Sequence, residues 1–168
     1  MSLILKQEQL RGLNMYKTIN GDIFEGNTDV IIHQVNCQGV MGSGIAKQVK
    51  NKFPIAFSAY KTLCDFSDKT SLLGKIQIIN NLKRDNGSKF SLVNVFSQDK
   101  YGYSGQFTDY EALRLCLKRI NEKFTGKTIG VPYLMGCHRG GGDWNIVSKM
   151  ISEELKNCEI IFYKYSEK

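Results

Sequence analysis

Residues 30–53, VIIHQVNCQGVMGSGIAKQVKNKF, decide the fold. The first seven, VIIHQVN, are a near-continuous apolar run bounded by Asp29 and Asn36. A run this short and this β-branched predicts a strand buried on both faces, as parallel sheets require. The glycine-rich segment CQGVMGSG (37–44) follows it. In the next segment, IAKQVKNKF, Ile45, Val49 and Phe53 recur every four residues and mark one stripe of a helix. Pro54 breaks that helix before a second helical piece, IAFSAYKTLCDF (55–66).

The strand–glycine–helix unit returns near the other end. TIGVPYL (128–134) reads as a strand, MGCHRGGGD (135–143) as a glycine loop, and WNIVSKMISEELKN (144–157) as a helix with Trp144, Val147 and Ile151 on one side. Between the two units, GKIQIINNL (74–82) and FSLVNVFS (90–97) read as strands joined by KRDNGS, where Asn86-Gly87 is a hairpin signal. A glycine- and aromatic-rich loop, QDKYGYSGQF (98–107), comes next. Thr108 with Glu111 then reads as a capping box opening a helix, whose core face is Tyr110, Leu113, Leu117, Ile120 and Phe124. YKTINGDIF (16–24) is expected to be a strand running into a glycine turn, and EIIFYKY (159–165) the last strand. Strands alternating with helices in this order predict an α/β domain with helices on both faces of a mixed sheet.

The chain has 168 residues, one domain's worth, and 42% hydrophobic with 23% charged residues excludes a disordered, collagenous or coiled-coil chain. No apolar stretch is long enough to cross a membrane, and no membrane partner is expected. The apolar patch Leu3-Ile4-Leu5 is too short for a signal-peptide core, and Met15 precedes the first clear strand. Residues 1–14 are therefore expected to be a leader or an added segment, and residues 15–168 a single domain. Five cysteines, an odd number with no paired ligand spacing, and only two distant histidines, His33 and His138, argue against a zinc site. Free thiols suit a reducing compartment, so a cytoplasmic monomer with no metal and no cofactor is expected. A net charge of +7 attracts polyanions, but the lysines are scattered. Charge alone therefore fits a solvated surface as well as a nucleic-acid binder.

Both glycine loops leave a strand and enter a helix, so both are expected at the carboxyl edge of the sheet, where open α/β sheets bind ligands. Glycines let a ligand approach the main chain closely. Free N–H groups at a helix N-terminus suit phosphate. Two such loops facing one crevice can hold a diphosphate from both sides; each taken singly can also be a plain tight connection. Neither loop is a P-loop, and the first lacks the Gly-x-Gly-x-x-Gly dinucleotide spacing.

Taken in order, Gly21-Asp22-Ile23, VIIHQVN, GVMGSGIA and VPYLMGCHRGGGDW resemble the macrodomain family of ADP-ribose-binding modules, over about residues 16–165. The segment FSQ…YGYSGQFTDYEAL resembles the subgroup with phage and bacterial members. The resemblance implies a three-layer α/β/α macrodomain-like fold with a mixed central sheet. It implies that Asp22 accepts a hydrogen bond from the adenine amino group, although a turn aspartate is the alternative. It places Asn36 beside the distal ribose, where it can equally cap a turn. Gly42, Ser43, Gly44 and Ile45 would offer backbone N–H groups to the diphosphate. Gly136, Cys137, His138, Arg139, Gly140 and Gly141 would close over the other side, and Ile23, Gln98 and Pro132 complete the implied set.

Some relatives release ADP-ribose from protein or nucleic acid, or act on ADP-ribose-1″-phosphate, and such a reaction needs an activated water and a stabilised leaving group. The catalytic candidates are Asn36, His138, Asp143 and His33. His33 and Asn36 fall on opposite faces of one strand, which favours a sheet histidine over a base. His138 lies inside the second loop. Arg139 can pair a phosphate, and Asp143 is either a base or the N-cap of its helix. Where some relatives carry a lysine after the fourth strand and an aspartate in the second glycine loop, this chain has Gln98, with Asp99 and Lys100 following, and Gly140. Tyr101 and Tyr103 are expected on the distal edge. The expected partner is ADP-ribose or an ADP-ribosylated macromolecule, nucleic acid included. Three functions follow: an ADP-ribosyl hydrolase, a non-catalytic ADP-ribose reader, and a basic nucleic-acid-binding protein.

Overall fold

The computed structural model describes residues 16–165, so the expected leader over residues 1–14 lies outside the described residues. The strands are β1 (Tyr16–Asn20), β2 (Val30–Asn36), β3 (Ile76–Lys83), β4 (Lys89–Gln98), β5 (Thr128–Pro132) and β6 (Glu159–Lys164). The helices are α1 (Gly44–Lys52), α2 (Pro54–Phe66), α3 (Tyr110–Lys123) and α4 (Trp144–Glu154). They form one six-stranded sheet in the order β1-β6-β5-β2-β4-β3. Only β3 runs antiparallel, against β4; every other neighbouring pair is parallel.

The sheet is a middle layer. Val30 and Ile32 of β2 face a core with Leu113 and Leu117 of α3 and Val147 and Ile151 of α4. Ile31 and Val35 face the opposite core, with Val49 of α1 and Ala56 and Tyr60 of α2. All seven residues of β2 are buried, which is why its sequence is apolar on both faces. Burial of each such side chain is worth roughly 1.5–3 kcal/mol, so this strand and its two covering layers fix the architecture. The expected three-layer α/β/α arrangement with a mixed sheet is the one observed.

Local differences have local causes. The first strand stops at Asn20, because the Asp22 carboxylate accepts the Phe24 N–H at 2.8 Å and starts a short 3-10 turn, Ile23–Glu25. The hairpin between β3 and β4 closes through Arg84 N–H to the Ser88 carbonyl, with Gly87 at φ 89°. The capping box is corrected. Asp109, not Thr108, caps α3 by accepting the Ala112 N–H at 2.9 Å. Thr108 is 2% exposed, and its hydroxyl is taken by a buried network described below.

Candidate functional site

The parallel strands β2, β4, β5 and β6 all end on one edge of the sheet, at Asn36, Gln98, Pro132 and Lys164. Over that edge lies a cleft of about 720 Å³. It runs from the end of β6 to the end of β4, three strand spacings or roughly 14 Å. Gly21, Asp22, Ile23 and Tyr163–Tyr165 line one end; Gln98, Tyr101, His138, Arg139 and Gly140 line the other. Between them lie Asn36, Gly42, Ser43, Gly44 and Ile45 on one side and Pro132 and Gly136 on the other.

The first glycine loop, residues 37–43, is shaped by the asparagine that ends β2. Asn36 Oδ1 accepts the Gln38 N–H at 2.9 Å, and its Nδ2 donates to the Val40 carbonyl at 2.8 Å. The buried Tyr60 hydroxyl faces both the Asn36 carbonyl and its Oδ1, at 2.7 and 2.8 Å. Burial pushes that phenol upward, so it stays a neutral donor. Helix α1 then opens on the cleft. Its N-cap, Ser43, makes no side-chain capping bond, and the first backbone bond closing the helix is Lys47 N–H to the Ser43 carbonyl. The N–H groups of Gly44, Ile45 and Ala46 have no such partner within the helix, the condition that makes a helix N-terminus an anion site.

The second loop, residues 133–143, is held from below. Gln34, 9% exposed in the middle of β2, donates from Nε2 to Gln98 Oε1 at 2.6 Å and to Thr108 Oγ1 at 2.8 Å. Its Oε1 accepts from the Ser97 hydroxyl at 2.6 Å. Thr108 donates onward to the Gly136 carbonyl at 2.8 Å. The Gly140 carbonyl accepts the Phe107 and Thr108 N–H groups at 2.7 and 2.8 Å. A Cβ on Gly140 would lie 2.4 Å from Thr108 Oγ1 and 2.6 Å from the Gly136 carbonyl oxygen. The position that carries an aspartate in some relatives therefore has no room here for any side chain, and Gln98, at the lysine position, is a buried member of the clamp.

At the β6 end, Asp22 spends one carboxylate oxygen on the Phe24 N–H, while Oδ2 stands 3.8 Å from Lys52 Nζ. The turn reading of Asp22 is the one observed, and the residue also lines the cleft.

Cys137, Gly141, Asp143 and His33 are not among the residues lining the cleft. Asp143 is the N-cap of α4, its carboxylate accepting the Asn145 N–H at 2.8 Å. His33 is wholly buried, 2.6 Å from Asn94 Oδ1, and burial pushes it down to about 4. It is a neutral ring in the sheet, not a group facing the cleft. Burial raises the Cys137 thiol to about 11, which leaves no thiolate nucleophile there. Tyr103 also stands outside, reaching the rim only through Arg139. Gln34, Thr108, Tyr133 and Tyr163 were not among the site residues expected from the sequence. Only Gln34 carried a signal, a polar residue inside a strand otherwise buried and apolar, which has to find partners.

No family model matches the chain. It is 28% identical over 147 residues to a DNA ADP-ribosyl glycohydrolase of Mycobacterium tuberculosis, covering 86% of this chain and 40% of that protein. The chain thus spans about two fifths of the length of that curated relative. It is 31% identical over 153 residues to an uncharacterized 17.5 kDa protein from the tk-vs intergenic region of enterobacteria phage T4, covering 86% of this chain and 93% of that one. Among solved structures, the macrodomain of Mycobacterium tuberculosis DarG superposes with a TM-score of 0.71 at 25% identity, covering 89% of this chain and 97% of that one.

Proposed function

The chain has the fold of the macrodomains it is similar to over nearly its whole length, and from that premise we propose that it binds ADP-ribose along the cleft and hydrolyses the bond joining that group to a DNA acceptor. The observation that carries the reading is the uncapped N-terminus of α1, opening between the end lined by Asp22 and a loop clamped from the opposite side. The diphosphate lies on the N–H groups of Gly44, Ile45 and Ala46. Adenine lies toward Asp22, whose Oδ2 accepts its amino group. The distal ribose lies between Asn36 and the second loop.

At that distal end the cleft is lined by His138 and Arg139, with Gln98 and Tyr101, and by no carboxylate among the described residues. His138 is assigned as the group that accepts a proton from the attacking water, since an imidazole does this and returns the proton. Water bonds to the anomeric carbon. The carbon–acceptor bond breaks with its electron pair on the acceptor, which takes the proton back from the imidazolium. Arg139 stabilises negative charge nearby. A second reading, a reader without turnover, is favoured by the missing lysine–aspartate pair: Gln98 stands at the one position, tied to Gln34, and a Cβ at Gly140 would overlap Thr108.

Two measurements test this. Calorimetry should show ADP-ribose binding more tightly than ADP, and Asp22→Ala should weaken it about tenfold, the loss of one charge-assisted hydrogen bond; unchanged affinity refutes the role of Asp22. His138→Ala should slow release from ADP-ribosylated single-stranded DNA by about 100-fold or more while ADP-ribose affinity moves less than threefold. Full activity in that variant removes His138 from the mechanism, and no release by the unaltered protein leaves the reader. The unpaired state of all five cysteines supports a reducing, cytoplasmic setting; recovery of the protein from the exported fraction of its source would overturn that.

A further inference from the structure

We propose that Tyr103, braced by Arg139, is a stacking platform for an unpaired base of a single-stranded DNA acceptor, next to the distal end of the cleft. The proposal rests on the reading of the cleft given above and adds the part of the substrate that lies outside it.

Tyr103 is 86% exposed, an unusual state for a large ring that nevertheless has a fixed neighbour. The Arg139 guanidinium carbon lies 3.7 Å from the ring centroid, and its Nη2 donates to the Tyr103 hydroxyl at 2.7 Å. The Gly102 N–H donates to the Arg139 carbonyl, tying the same loop to the same residue. One face of the ring is therefore covered by a cation, and the other faces solvent. Such a ring buries too little apolar surface to serve the core, whereas an oriented open face is what a base stacks on.

The position fits the acceptor. Arg139 lines the cleft, so Tyr103 is one side chain removed from the end where the distal ribose lies. Lys100 is exposed in the same loop, and the Asp99 carboxylate nearby is engaged by Gln38 Nε2 at 2.9 Å. A strand leaving the cleft by this rim meets a ring and the Arg139 cation, on a chain of net charge +7. Stacking of this kind is tolerant of base identity, because every base has a π-face.

The test compares affinities for free ADP-ribose, for an ADP-ribosylated peptide, and for a short single-stranded oligonucleotide carrying one ADP-ribosyl group. The oligonucleotide should bind best. Tyr103→Ala should cut that advantage about tenfold, with the other two affinities within twofold of the unaltered protein. Tyr103→Trp should retain it. Equal losses on all three ligands, or an oligonucleotide affinity that does not move, overturns the proposal. Failure to bind ADP-ribose at all defeats the reading of the cleft instead. The platform is then decided with the unmodified strand: salt-sensitive binding lost in Tyr103→Ala supports it, and no binding overturns it.

Discussion

The two glycine loops share one sequence setting, a buried parallel strand before and a helix after, and they solve the resulting backbone problem in opposite ways. The first is shaped by the asparagine at its own strand end and leaves its helix N-terminus open, with Ser43 making no capping bond. The second is shaped by side chains from β2, from β4 and from Thr108, two residues before α3, and its helix is closed by its own Asp143. Serine and aspartate are both favoured N-caps, so the identity of the cap residue does not tell the two apart. The difference teaches that a strand–glycine–helix pattern leaves its helix N–H groups open to the cleft only where the cap is withheld. Here one loop supplies N–H groups and the other supplies a rigid wall.

The sharpest way to break that contrast is to add side chains to each loop. Gly141 has φ +64°, and a Cβ there would stand 1.9 Å from the Gly105 carbonyl oxygen, whereas at Gly42 the nearest atom is Val40 Cγ1 at 3.6 Å. Gly141→Ala should cost about 3–5 kcal/mol of unfolding free energy, strain and overlap together. Gly42→Ala should cost under about 0.5 kcal/mol. Equal costs in urea denaturation would show that the second loop is no stiffer than the first.

Acid titration separates the strand beneath the first loop from the loops themselves. His33 of β2 is held neutral by burial, with its protonation pushed from 6.5 down to about 4. The unfolded chain therefore binds a proton that the folded chain refuses, and stability falls as pH drops from about 6.5 toward about 4, by up to about 3 kcal/mol. His33→Gln should flatten that segment of the stability–pH curve. A curve that keeps its slope in the variant puts the acid sensitivity elsewhere.

A smaller effect isolates the open helix end. Proline is tolerated in the first turn of a helix, where its missing N–H has no helical partner to lose. Ala46→Pro should therefore leave stability within about 1 kcal/mol and weaken ADP-ribose binding about tenfold, the value of one hydrogen bond to a charged group. The smallest effect is the mirror image. Asp143→Ala should cost about 1 kcal/mol of stability, one lost N-cap, and move ADP-ribose affinity by less than twofold. If the second change weakened binding more than the first, the roles of the two helix ends would be exchanged.

Much of this was legible in the residues because burial writes itself into composition. Val30–Asn36 reads as a two-faced strand, and every residue of it is buried. The stripe of Leu113, Leu117 and Ile120 on α3 reads as a core face, and all three are fully buried. Thr108 misled because Thr-x-x-Glu fits a capping box, while Asp109, one residue later, offers a carboxylate that starts the helix one residue on by taking the Ala112 N–H. Gln34 and Thr108 could not be joined from spacing, since they meet only after β2 and the start of α3 are packed against the second loop.

What the sequence determined by itself was the layering: apolar periodicity states which faces must leave water, and the hydrophobic effect needs no partner identities to act on it. What only the tertiary structure decided was the division of labour at the edge. Hydrogen bonds are directional and short-ranged, so which carboxylate caps, which glycine is hemmed in, and which helix end stays open depend on atoms brought together from distant parts of the chain.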